Sequence, residues 1–254
     1  MKKKPTSFAQ VVPFKTADGS KTLYDGERDI HYRSHHGAVS ESRHVFLKGT
    51  GLLEVGGRWR VAELGFGAAV NFTQTVEAFR ANEKASELIY HSVDWRVVPP
   101  GHLQFHDGEG GELARRAAAM VHDGSGQEKA VVVRSEDERI ELHLHPSAWS
   151  EAELGEFSAG AFFHDPFAKN VNPEGWTAEC FAWVRSVMDA KGRLATYSAA
   201  TAVKRAMFEG GLWVASAPGP GRKREMTLAS PSLESLHGVE GLTILDRLRY
   251  VEDS

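Results

Sequence analysis

One acidic residue stands where a short apolar run of the chain ends. Apolar residues 161–163 and His164 precede Asp165, and Pro166 follows it, which prevents further strand pairing because proline lacks an N–H group. In open α/β sheets the ligand crevice lies outside the carboxyl ends of the strands, so a carboxylate at this point can meet a substrate. Asp165 is therefore the candidate catalytic residue. The alternative is that it caps the loop or pairs with a nearby basic side chain.

A second candidate site lies in the turn after the strand predicted over 58–64. That strand contains Glu63, and Gly65, Phe66 and Gly67 follow it. An acid followed by Gly-x-Gly between a strand and a helix is typical of nucleotide-binding turns in Rossmann-like folds, because glycine lets the backbone approach a ligand closely. The third glycine of the dinucleotide pattern is missing, and a tight packing turn explains the pattern equally well when it is taken alone.

The next strand supports the cofactor interpretation. It is predicted over 88–93 and ends at Asp94. In Rossmann-like folds an acid at the end of the second strand binds the ribose hydroxyls of the cofactor. The turn and Asp94 together therefore predict a cofactor site more specifically than either feature does alone.

Composition narrows the class of protein. The chain has 254 residues, of which 25% are charged and 41% hydrophobic, and its formal net charge is −4. This size fits one large α/β domain or two small ones, and the net charge does not indicate a nucleic-acid binder. The single cysteine, Cys180, excludes an internal disulfide framework and a Cys-rich zinc site, and it is expected to pack inside a helix. No run approaches the ~18 apolar residues of a membrane span, so a soluble, reducing, cytoplasmic setting is expected.

Metal binding is not predicted. His143 and His145 alternate along a predicted strand and would point to one face, where two imidazoles could bind a metal ion. No Asp or Glu at a compatible spacing completes such a site.

The order of the predicted elements indicates an α/β fold. Alternating strands and helices favour a mainly parallel sheet, whereas the last two strands, over 212–216 and 224–229, must pair antiparallel because no helix joins them. Seven strands with a terminal antiparallel hairpin are the layout of class I S-adenosylmethionine-dependent methyltransferases. The predicted divisions are an N-terminal β extension over 1–57, a Rossmann-like domain over 58–230 and a C-terminal tail over 231–254.

Other segments are less regular. Residues 43–47 are predicted as a strand or the start of a helix, 99–111 as a loop, and 174–190 as an amphipathic helix. Hairpins are predicted around the turns at 18–19 and 135–138.

Five segments carry a family resemblance. They read RHVFLKG at 43–49, ELGFGAAVNF at 63–72, FHDPFA at 163–168 with Asn172, Pro173 and Trp176 beyond it, LATYS at 194–198, and GRKREM at 221–226. In this order they resemble segments in the methyltransferase half of the bifunctional tRNA wobble-uridine modification protein MnmC and its stand-alone relatives. The resemblance extends from about 29 to 228, nearly the whole chain, and its last segment is the most distinctive.

The resemblance implies a reaction, in which a methyl group moves from S-adenosylmethionine to the primary amine of 5-aminomethyl-2-thiouridine at the tRNA wobble position. Asp165 matches the acid of the family's Asp-x-Phe-Ala segment. It is expected to orient the amine, to accept or relay its proton, and to balance the charge of the ammonium product. The expected partner is tRNA, a separate oxidase that supplies the aminomethyl group is a second candidate partner, and the expected oligomeric state is a monomer.

The resemblance and the strand ends give two sets of site residues. The cofactor-binding set is Glu63, Gly65, Phe66, Gly67, Asn71, Asp94, Ser147 and Trp149. The substrate-binding set is Phe167, Asn172, Trp176, Arg222, Lys223 and Arg224. Phe167 and Trp176 are expected to flank the unpaired base by stacking, and the three basic residues to meet phosphates. Core packing of the aromatic residues and a solvated turn at the basic residues are the alternatives.

The chain departs from the family at positions close to these sets. Ala69 replaces a loop glycine, and Pro166 replaces the glycine after the acid. Ser147 and Ala148 stand where the family has the Gly-Asp that meets the adenine amine. Ser147 and the flat ring of Trp149 are therefore substitute candidates for adenine recognition.

Two other functions stay open. Asp165, Pro166 and Phe167 also resemble the Asp-Pro-Pro-Tyr/Phe signature of methyltransferases that act on planar amino groups of nucleobases or Gln side chains. A degenerate, cofactor-free binding module is the non-enzymatic alternative, and Ala69 and Ala148 fit such a loss. Calorimetry with S-adenosylmethionine separates the binding module from both enzymes, and nucleoside analysis separates the two enzymes.

Overall fold

A nine-stranded sheet forms the centre of the protein, and a separate three-stranded sheet precedes it in the chain. The computed structural model describes residues 7–124, 129–221, 224–237, 239 and 241–251. The described strands are β1 Val11–Lys15, β2 Lys21–Asp25, β3 Ile30–His31, β4 Gly57–Leu64, β5 Ala85–Val93, β6 Val131–Arg134, β7 Ile140–His145, β8 Ala159–His164, β9 Met188–Thr196, β10 Trp213–Pro218, β11 Glu225–Ser230 and β12 Thr243–Ile244. The described α-helices are α1 Ala38–Glu41, α2 Val70–Ala81, α3 Gly108–His122, α4 Ala178–Ser186, α5 Thr201–Glu209 and α6 Leu248–Val251.

The strand order confirms the predicted α/β layout. In the order β12-β10-β11-β9-β8-β4-β5-β7-β6, the strands from β9 to β7 pair in parallel. β11 runs antiparallel between β9 and β10, as predicted for the terminal hairpin, and β6 and β7 form the hairpin predicted around 135–138. The described sheet has nine strands rather than seven, because two short antiparallel strands, β6 and β12, extend it at opposite edges.

Both faces of the sheet are covered. Phe162 of β8 belongs to the core beneath α4 and α5, whereas its neighbour Phe163 belongs to the core beneath α2 and α3. A parallel strand buried on both faces reads as a continuous apolar run, which is why residues 161–163 predict a strand. Cys180 is free and buried within α4, as predicted. In the part of the chain that the structure describes, no helix is long and apolar enough to cross a membrane.

The helix predicted over 174–190 is wrong in its extent. Thr177 starts α4 afresh, because its side chain accepts a hydrogen bond from the N–H of Cys180 at 3.2 Å and so caps the helix. The helix then gives way to β9, whose first residue Met188 pairs with Ala159 of β8. Sheet pairing therefore takes the last residues that the amphipathic pattern assigns to the helix.

The loop predicted over 99–111 is wrong at its end, since α3 begins at Gly108. The reason is the packing of α3 against α2. A Cβ atom on Gly110 would lie 3.0 Å from the Cα atom of Thr73. Gly110 therefore serves close helix packing rather than a loop.

The segment before β4 forms the predicted hairpin and then a helical turn. β1 and β2 pair antiparallel around the turn at 18–19. Residues 43–47 are not a strand, because they lie in the π-helical turn Ser42–Lys48. This turn buries Val45 and Phe46 against the main core, and the hydrophobic contact favours the helical form.

A buried arginine joins this N-terminal segment to the end of β5. Arg96 donates through Nη1 to the carboxylate of Asp25 at 3.0 Å and to the hydroxyl of Tyr32 at 3.1 Å. Its Nη2 donates to the carbonyl of Ser7 at 2.7 Å, and its guanidinium lies 4.3 Å from the ring centroid of Phe8. The side chains of Arg96 and Asp25 are only 4% and 1% exposed. The ion pair is therefore shielded from water and holds the segment against the sheet.

Replacing Asp25 with Ala should destabilise the protein strongly, because it leaves the Arg96 cation buried without its ion-pair partner. Breaking a buried pair in this way costs about 3–5 kcal/mol. Urea unfolding of Asp25→Ala should show a loss of this size. Asp29→Asn, at an exposed acid of the same segment, is the control and should change the free energy of unfolding by less than about 0.5 kcal/mol. Equal unfolding free energies for wild type and Asp25→Ala would contradict the structural role of the pair.

Candidate active site

A cavity of about 640 Å³ opens at the carboxyl ends of β4, β5, β7 and β8. This volume lies within the range of ligand pockets, about 300–1,000 Å³. Nine of the predicted site residues line it: Gly65, Phe66, Gly67, Asp94, Ser147, Trp149, Asp165, Phe167 and Asn172. Residues of the N-terminal segment, among them Tyr32, Arg33 and Glu41, form another part of the wall. The fold thus brings the glycine turn and both predicted acids to one place.

The Gly-x-Gly turn requires glycine at position 65 and favours it at position 67. Gly65 has a φ angle of +101° and Gly67 one of +51°, in a region that side chains of L-residues disfavour. A Cβ atom on Gly65 would lie 2.5 Å from the carbonyl oxygen of Asp165, and one on Gly67 would lie 3.3 Å from the ring of Tyr32. Ala69, the departure from the family, also has a positive φ of 58°. An alanine is thus held in a backbone conformation that glycine adopts more easily.

Asp94 lies directly after β5 and is fixed by the backbone. Its Oδ2 accepts a hydrogen bond from the N–H of Gly67 at 2.9 Å, and its Oδ1 accepts one from the N–H of Arg96 at 2.8 Å. Burial raises the pKa of Asp94, while these two N–H donors and the Arg96 charge lower it. Each carboxylate oxygen can accept a further hydrogen bond, so the group is held beside the turn and still able to take hydroxyl donors.

Ser147 places a hydroxyl at the end of β7. Its Oγ is buried and has no hydrogen-bond partner within the described ranges, and both Ser147 and Ala148 line the cavity. An unpaired buried hydroxyl costs free energy, so this atom indicates a polar ligand group at this point. Trp149 also lines the cavity, and its Nε1 donates to the carbonyl of Glu174 at 3.1 Å, which fixes the ring.

Asp165 is buried directly after β8 and paired with Arg33. Nη2 of Arg33 and Nδ2 of Asn71 both donate to its Oδ2, the latter at 3.0 Å. Nη1 of Arg33 also donates to Glu41 at 3.3 Å. Burial raises the pKa of Asp165 well above its usual value; the Arg33 cation lowers it, and the charges of Glu41 and Glu63 raise it further. Arg33 is thus the cation that favours the ionised form of Asp165.

Glu63 lies behind the glycine turn and is not on the cavity wall. Its carboxylate accepts hydrogen bonds from Nδ2 of Asn71 at 2.9 Å and from Oγ of Ser92 at 2.8 Å, and the residue is 1% exposed. Burial raises the pKa of Glu63 to about 7, although these two hydrogen bonds lower it. Asn71 is also off the wall and links Glu63 to Asp165. Glu63 and Asn71, which are both predicted to bind the cofactor, therefore support the site from behind.

Comparisons with known proteins agree with this geometry. A family model for S-adenosyl-L-methionine-dependent methyltransferases matches residues 112–232. The tRNA 5-methylaminomethyl-2-thiouridine biosynthesis bifunctional protein MnmC of Ralstonia nicotianae is 31% identical over 239 residues, which cover 89% of this chain and 35% of the relative. The protein of the same name from Magnetococcus marinus is 32% identical over 212 residues, or 78% and 30% of the two chains. The crystal structure of MNMC2 from Aquifex aeolicus matches with a TM-score of 0.69 and 25% identity, covering 91% of this chain and 72% of that one.

These matches decide the class of enzyme. The chain belongs to the S-adenosyl-L-methionine-dependent methyltransferases. The predicted class I methyltransferase fold and the resemblance to MnmC are both confirmed, and the cofactor is S-adenosylmethionine. The chain spans about a third of the length of the curated MnmC relatives that it matches. The cavity fits this cofactor, since it offers a glycine turn for close approach, the fixed acid Asp94 and the unpaired hydroxyl of Ser147.

Phe167 and Trp176, the two aromatic residues predicted to bind the substrate, lie in different positions relative to the cavity of the methyltransferase. Phe167 lines the cavity, and its ring meets that of Tyr32 edge-on with centroids 4.9 Å apart. Trp176 is only 3% exposed and donates through Nε1 to the carbonyl of Phe167 at 2.8 Å. It supports the loop from behind, so the structure favours core packing for Trp176 over contact with a base. Asn172 lines the cavity and accepts a hydrogen bond from the N–H of Gly175 at 3.3 Å.

The basic residues of the substrate set directly precede β11 in the sequence. Arg224 is exposed and does not line the cavity. Arg222 and Lys223 fall outside the described residues. Contact of these three residues with phosphates stays a prediction.

Sequence reasoning missed further side chains of the cavity wall, among them Tyr32, Arg33, Glu41, Trp95 and Tyr197. Trp95 follows Asp94 directly, and Tyr197 lies in the LATYS segment of the family resemblance, so the neighbouring sequence of each indicates a place at the site. No sequence feature places Arg33 at the site, because it lies in a segment of irregular pattern and far from Asp165 in the chain.

A stack of three histidines lies away from the cavity. The rings of His91 and His143 are parallel with centroids 4.1 Å apart, and Nδ1 of His91 is 3.1 Å from Nε2 of His145. Burial and the charge of His143 lower the pKa of His145 to about 4, so its ring is neutral at pH 7. Over the described ranges, no group of three or more His, Cys, Asp or Glu side chains could hold a metal ion.

Replacing Glu63 with Gln should stabilise the folded protein only at higher pH. The amide keeps the hydrogen-bonding capacity of Glu63 but has no charge to bury. Because the pKa of Glu63 rises from its usual 4.5 to about 7 on folding, the folded state keeps a proton between these values that the unfolded state has lost. The wild type therefore loses stability relative to Glu63→Gln as the pH rises through this interval.

Thermal melts across this pH range test the protonation of Glu63. The melting temperatures of the two proteins should coincide below about pH 4.5 and differ in favour of the variant above about pH 7. Glu83→Gln, at an exposed acid before β5, is the control and should show no such trend. A difference that is constant at every pH would mean that Glu63 does not carry the proton.

Proposed function

We propose that this methyltransferase transfers a methyl group to the aminomethyl nitrogen of 5-aminomethyl-2-thiouridine at the wobble position of tRNA. The observation that carries the proposal is the buried Asp165, which lies on the cavity wall beside the glycine turn in a chain similar to MnmC over 89% of its length. Those relatives are named for the biosynthesis of 5-methylaminomethyl-2-thiouridine, which differs from the proposed substrate by one N-methyl group. The proposed partner is tRNA, with a separate oxidase as the source of the aminomethyl group.

The ends of three strands are proposed to hold the cofactor. Gly65, Phe66 and Gly67 would lie against it, since they line the cavity and no Cβ fills the space at the two glycines. Asp94 would accept the ribose hydroxyls, because its carboxylate is fixed beside this turn. The unpaired hydroxyl of Ser147 would meet the adenine edge in place of the family's acid.

Asp165 would act on the amine rather than on the cofactor. S-adenosylmethionine supplies an electrophilic methyl group on a sulfonium sulfur. An alkylamine is protonated near pH 7, so it must lose a proton before its lone pair can attack, and an ionised Asp165 can accept that proton. The nitrogen would then take the methyl group, and the electron pair of the broken carbon–sulfur bond would stay on the sulfur. Asp165 must relay the accepted proton onward before it can balance the new ammonium charge, because only its ionised form is a counter-charge. Alignment of the reacting atoms supplies much of the rate.

The charges around Asp165 favour an alkylamine over a planar amino group. Arg33, Glu41 and Asp165 carry one positive and two negative charges when all are ionised, and they are joined by the two contacts of Arg33. This surplus of negative charge attracts a cationic ammonium group, whereas the amino group of a nucleobase or a Gln side chain is neutral. In addition, the carbonyl of Pro166 accepts the hydroxyl of Tyr197 at 3.1 Å, so one lone pair that could hold a planar amine is already used.

Nucleoside analysis tests the proposed substrate. tRNA that carries 5-aminomethyl-2-thiouridine is incubated with the enzyme and S-adenosylmethionine, digested, and examined by mass spectrometry. One added methyl group on the aminomethyl nitrogen is the expected result. Methylation of another nucleobase or of a protein Gln would favour the alternative amino-methyltransferase, and failure to bind the cofactor in calorimetry would favour a binding module.

Asp94→Ala should weaken cofactor binding by at least about tenfold. The change removes two charge-assisted hydrogen bonds to the ribose, each worth about 1.5–3 kcal/mol before water compensates. Isothermal titration calorimetry with S-adenosylmethionine measures the effect, and thermal melts check that the turn still folds without its bond to Gly67. Asp107→Ala, at an exposed acid before α3, should bind normally. Unchanged affinity in Asp94→Ala would remove Asp94 from the cofactor site.

Asp165→Asn should slow methyl transfer by about 10²–10⁴-fold, because acid–base assistance contributes on this order. The amide keeps the size of the group but can neither accept the proton nor balance the ammonium product. Single-turnover assays should show this loss while the affinity for S-adenosylmethionine stays within a few-fold of wild type.

Asp189→Asn, at an exposed acid at the start of β9, is the matched control. Normal turnover of Asp165→Asn would mean that Asp165 is a structural cap. Early melting together with loss of cofactor binding would mean that the acid supports the fold instead.

A further inference from the structure

Arg33 reaches the candidate catalytic carboxylate from the N-terminal segment, outside the strands that carry the cofactor turn. The side chain of Arg33 is only 5% exposed, and its Nη2 contacts the carboxylate of Asp165. We propose that Arg33 is the positioning residue of Asp165, which holds oxygen Oδ2 and thereby presents Oδ1 to the substrate amine. The inference rests on the proposed function for the identity of that amine.

The two ends of the guanidinium fork fix its orientation. Nη1 donates to Glu41 of α1 at 3.3 Å, while Nη2 contacts Asp165. The carbon of the guanidinium lies 5.2 Å from the ring centroid of Phe46, so the plane rests on an aromatic side chain of the same segment. A planar fork held at both ends loses little freedom when it binds a carboxylate, which is why arginine suits this task better than lysine.

A second donor acts on the same carboxylate oxygen. Nδ2 of Asn71 lies 3.0 Å from Oδ2 of Asp165, and Asn71 is itself fixed by Glu63 and by the hydroxyl of Ser42 at 2.7 Å. The contacts of the carboxylate with Arg33 and Asn71 therefore both fall on Oδ2. Since Asp165 lines the cavity, Oδ1 is the oxygen left for a donor that enters it.

Charge is the second contribution of Arg33. The titratable groups that face Asp165 are Arg33 from the segment after β3, Glu41 from α1, Glu63 from β4, Tyr90 from β5 and Tyr197 after β9. Among these groups of the described chain, Arg33 alone is cationic. Burial and the neighbouring acids raise the pKa of Asp165 and Arg33 lowers it, so the loss of Arg33 would raise this pKa further. A protonated carboxyl can neither accept a proton nor balance an ammonium group.

The test compares Arg33→Met with Arg33→Lys in the full-length protein. Asp165 is followed directly by carbon-13 NMR of labelled aspartate carboxyl groups, with its signal assigned by its loss in Asp165→Asn. The pH dependence of single-turnover methyl transfer is measured on the same variants. Arg43→Met is the control. Arg43 belongs to the same segment and, like Arg33, pairs with an acid, here Glu77 of α2. This pair lies at the surface, with both side chains 56% exposed.

In Arg33→Met the titration of Asp165 and the acid limb of the rate should both move up by about 1–3 pH units, the usual effect of a cation next to a carboxylate. Arg33→Lys should restore most of the shift, and Arg43→Met should cause none. Loss of stability without any movement of the titration or of the acid limb would overturn the inference. If Arg33→Met does not fold, Arg33→Met/Glu41→Gln is compared with Glu41→Gln, because these two proteins differ only in the charge of Arg33. The same upward shift between them decides.

The NMR titration needs no substrate, so it separates this inference from the proposed function. Absence of methyl transfer to tRNA in every variant, together with a shifted Asp165 titration, would refute the substrate and keep the role of Arg33. Transfer with an unchanged titration and acid limb would keep the substrate and refute the role of Arg33.

Discussion

The buried ion pair between Arg33 and Asp165 is the interaction on which the site depends. Removing two charges from water costs several kcal/mol per ion, and an ion pair offsets this only when further hydrogen bonds complete it. Here Asn71 and Glu41 supply them. The pair forms only when the N-terminal segment lies against the sheet, where the Arg96–Asp25 pair also holds it. Folding of that segment and ionisation of the candidate catalytic acid are therefore coupled.

Strand register explains why the other parts of the site meet. Leu64 of β4 is paired with Val93 of β5 and with His164 of β8. The residues that follow these three are Gly65, Asp94 and Asp165, so they leave the sheet at the same level. Their backbones continue the pairing for one step, since the N–H of Gly65 donates to Val93 at 2.9 Å and that of Asp165 donates to Leu64 at 3.0 Å. The glycine turn and the acid thus touch.

This register also shows how far the sequence predicts the site. Asp94 and Asp165 can be predicted from the sequence, because each follows an apolar run and parallel strands bring their carboxyl ends to one edge. Arg33 cannot be predicted in this way, since its position depends on how a segment of irregular pattern packs across the finished sheet. For Trp176 the sequence leaves base contact and core packing open, because an aromatic residue after a Pro-Asn loop has the same pattern whether it faces a ligand or the core. Only its bond to the carbonyl of Phe167 decides between them.

The two buried acids joined by Asn71 must divide the charge between them. One amide nitrogen donates to Glu63 at 2.9 Å and to Asp165 at 3.0 Å, so two ionised carboxylates would face each other across a neutral group. Burial raises the pKa of both acids, that of Glu63 to about 7. The contact of Arg33 falls on Asp165, whereas Glu63 accepts hydrogen bonds from the neutral groups of Asn71 and Ser92. Arg33 therefore favours the charge on Asp165, the acid on the cavity wall, and leaves Glu63 as the structural acid of the two.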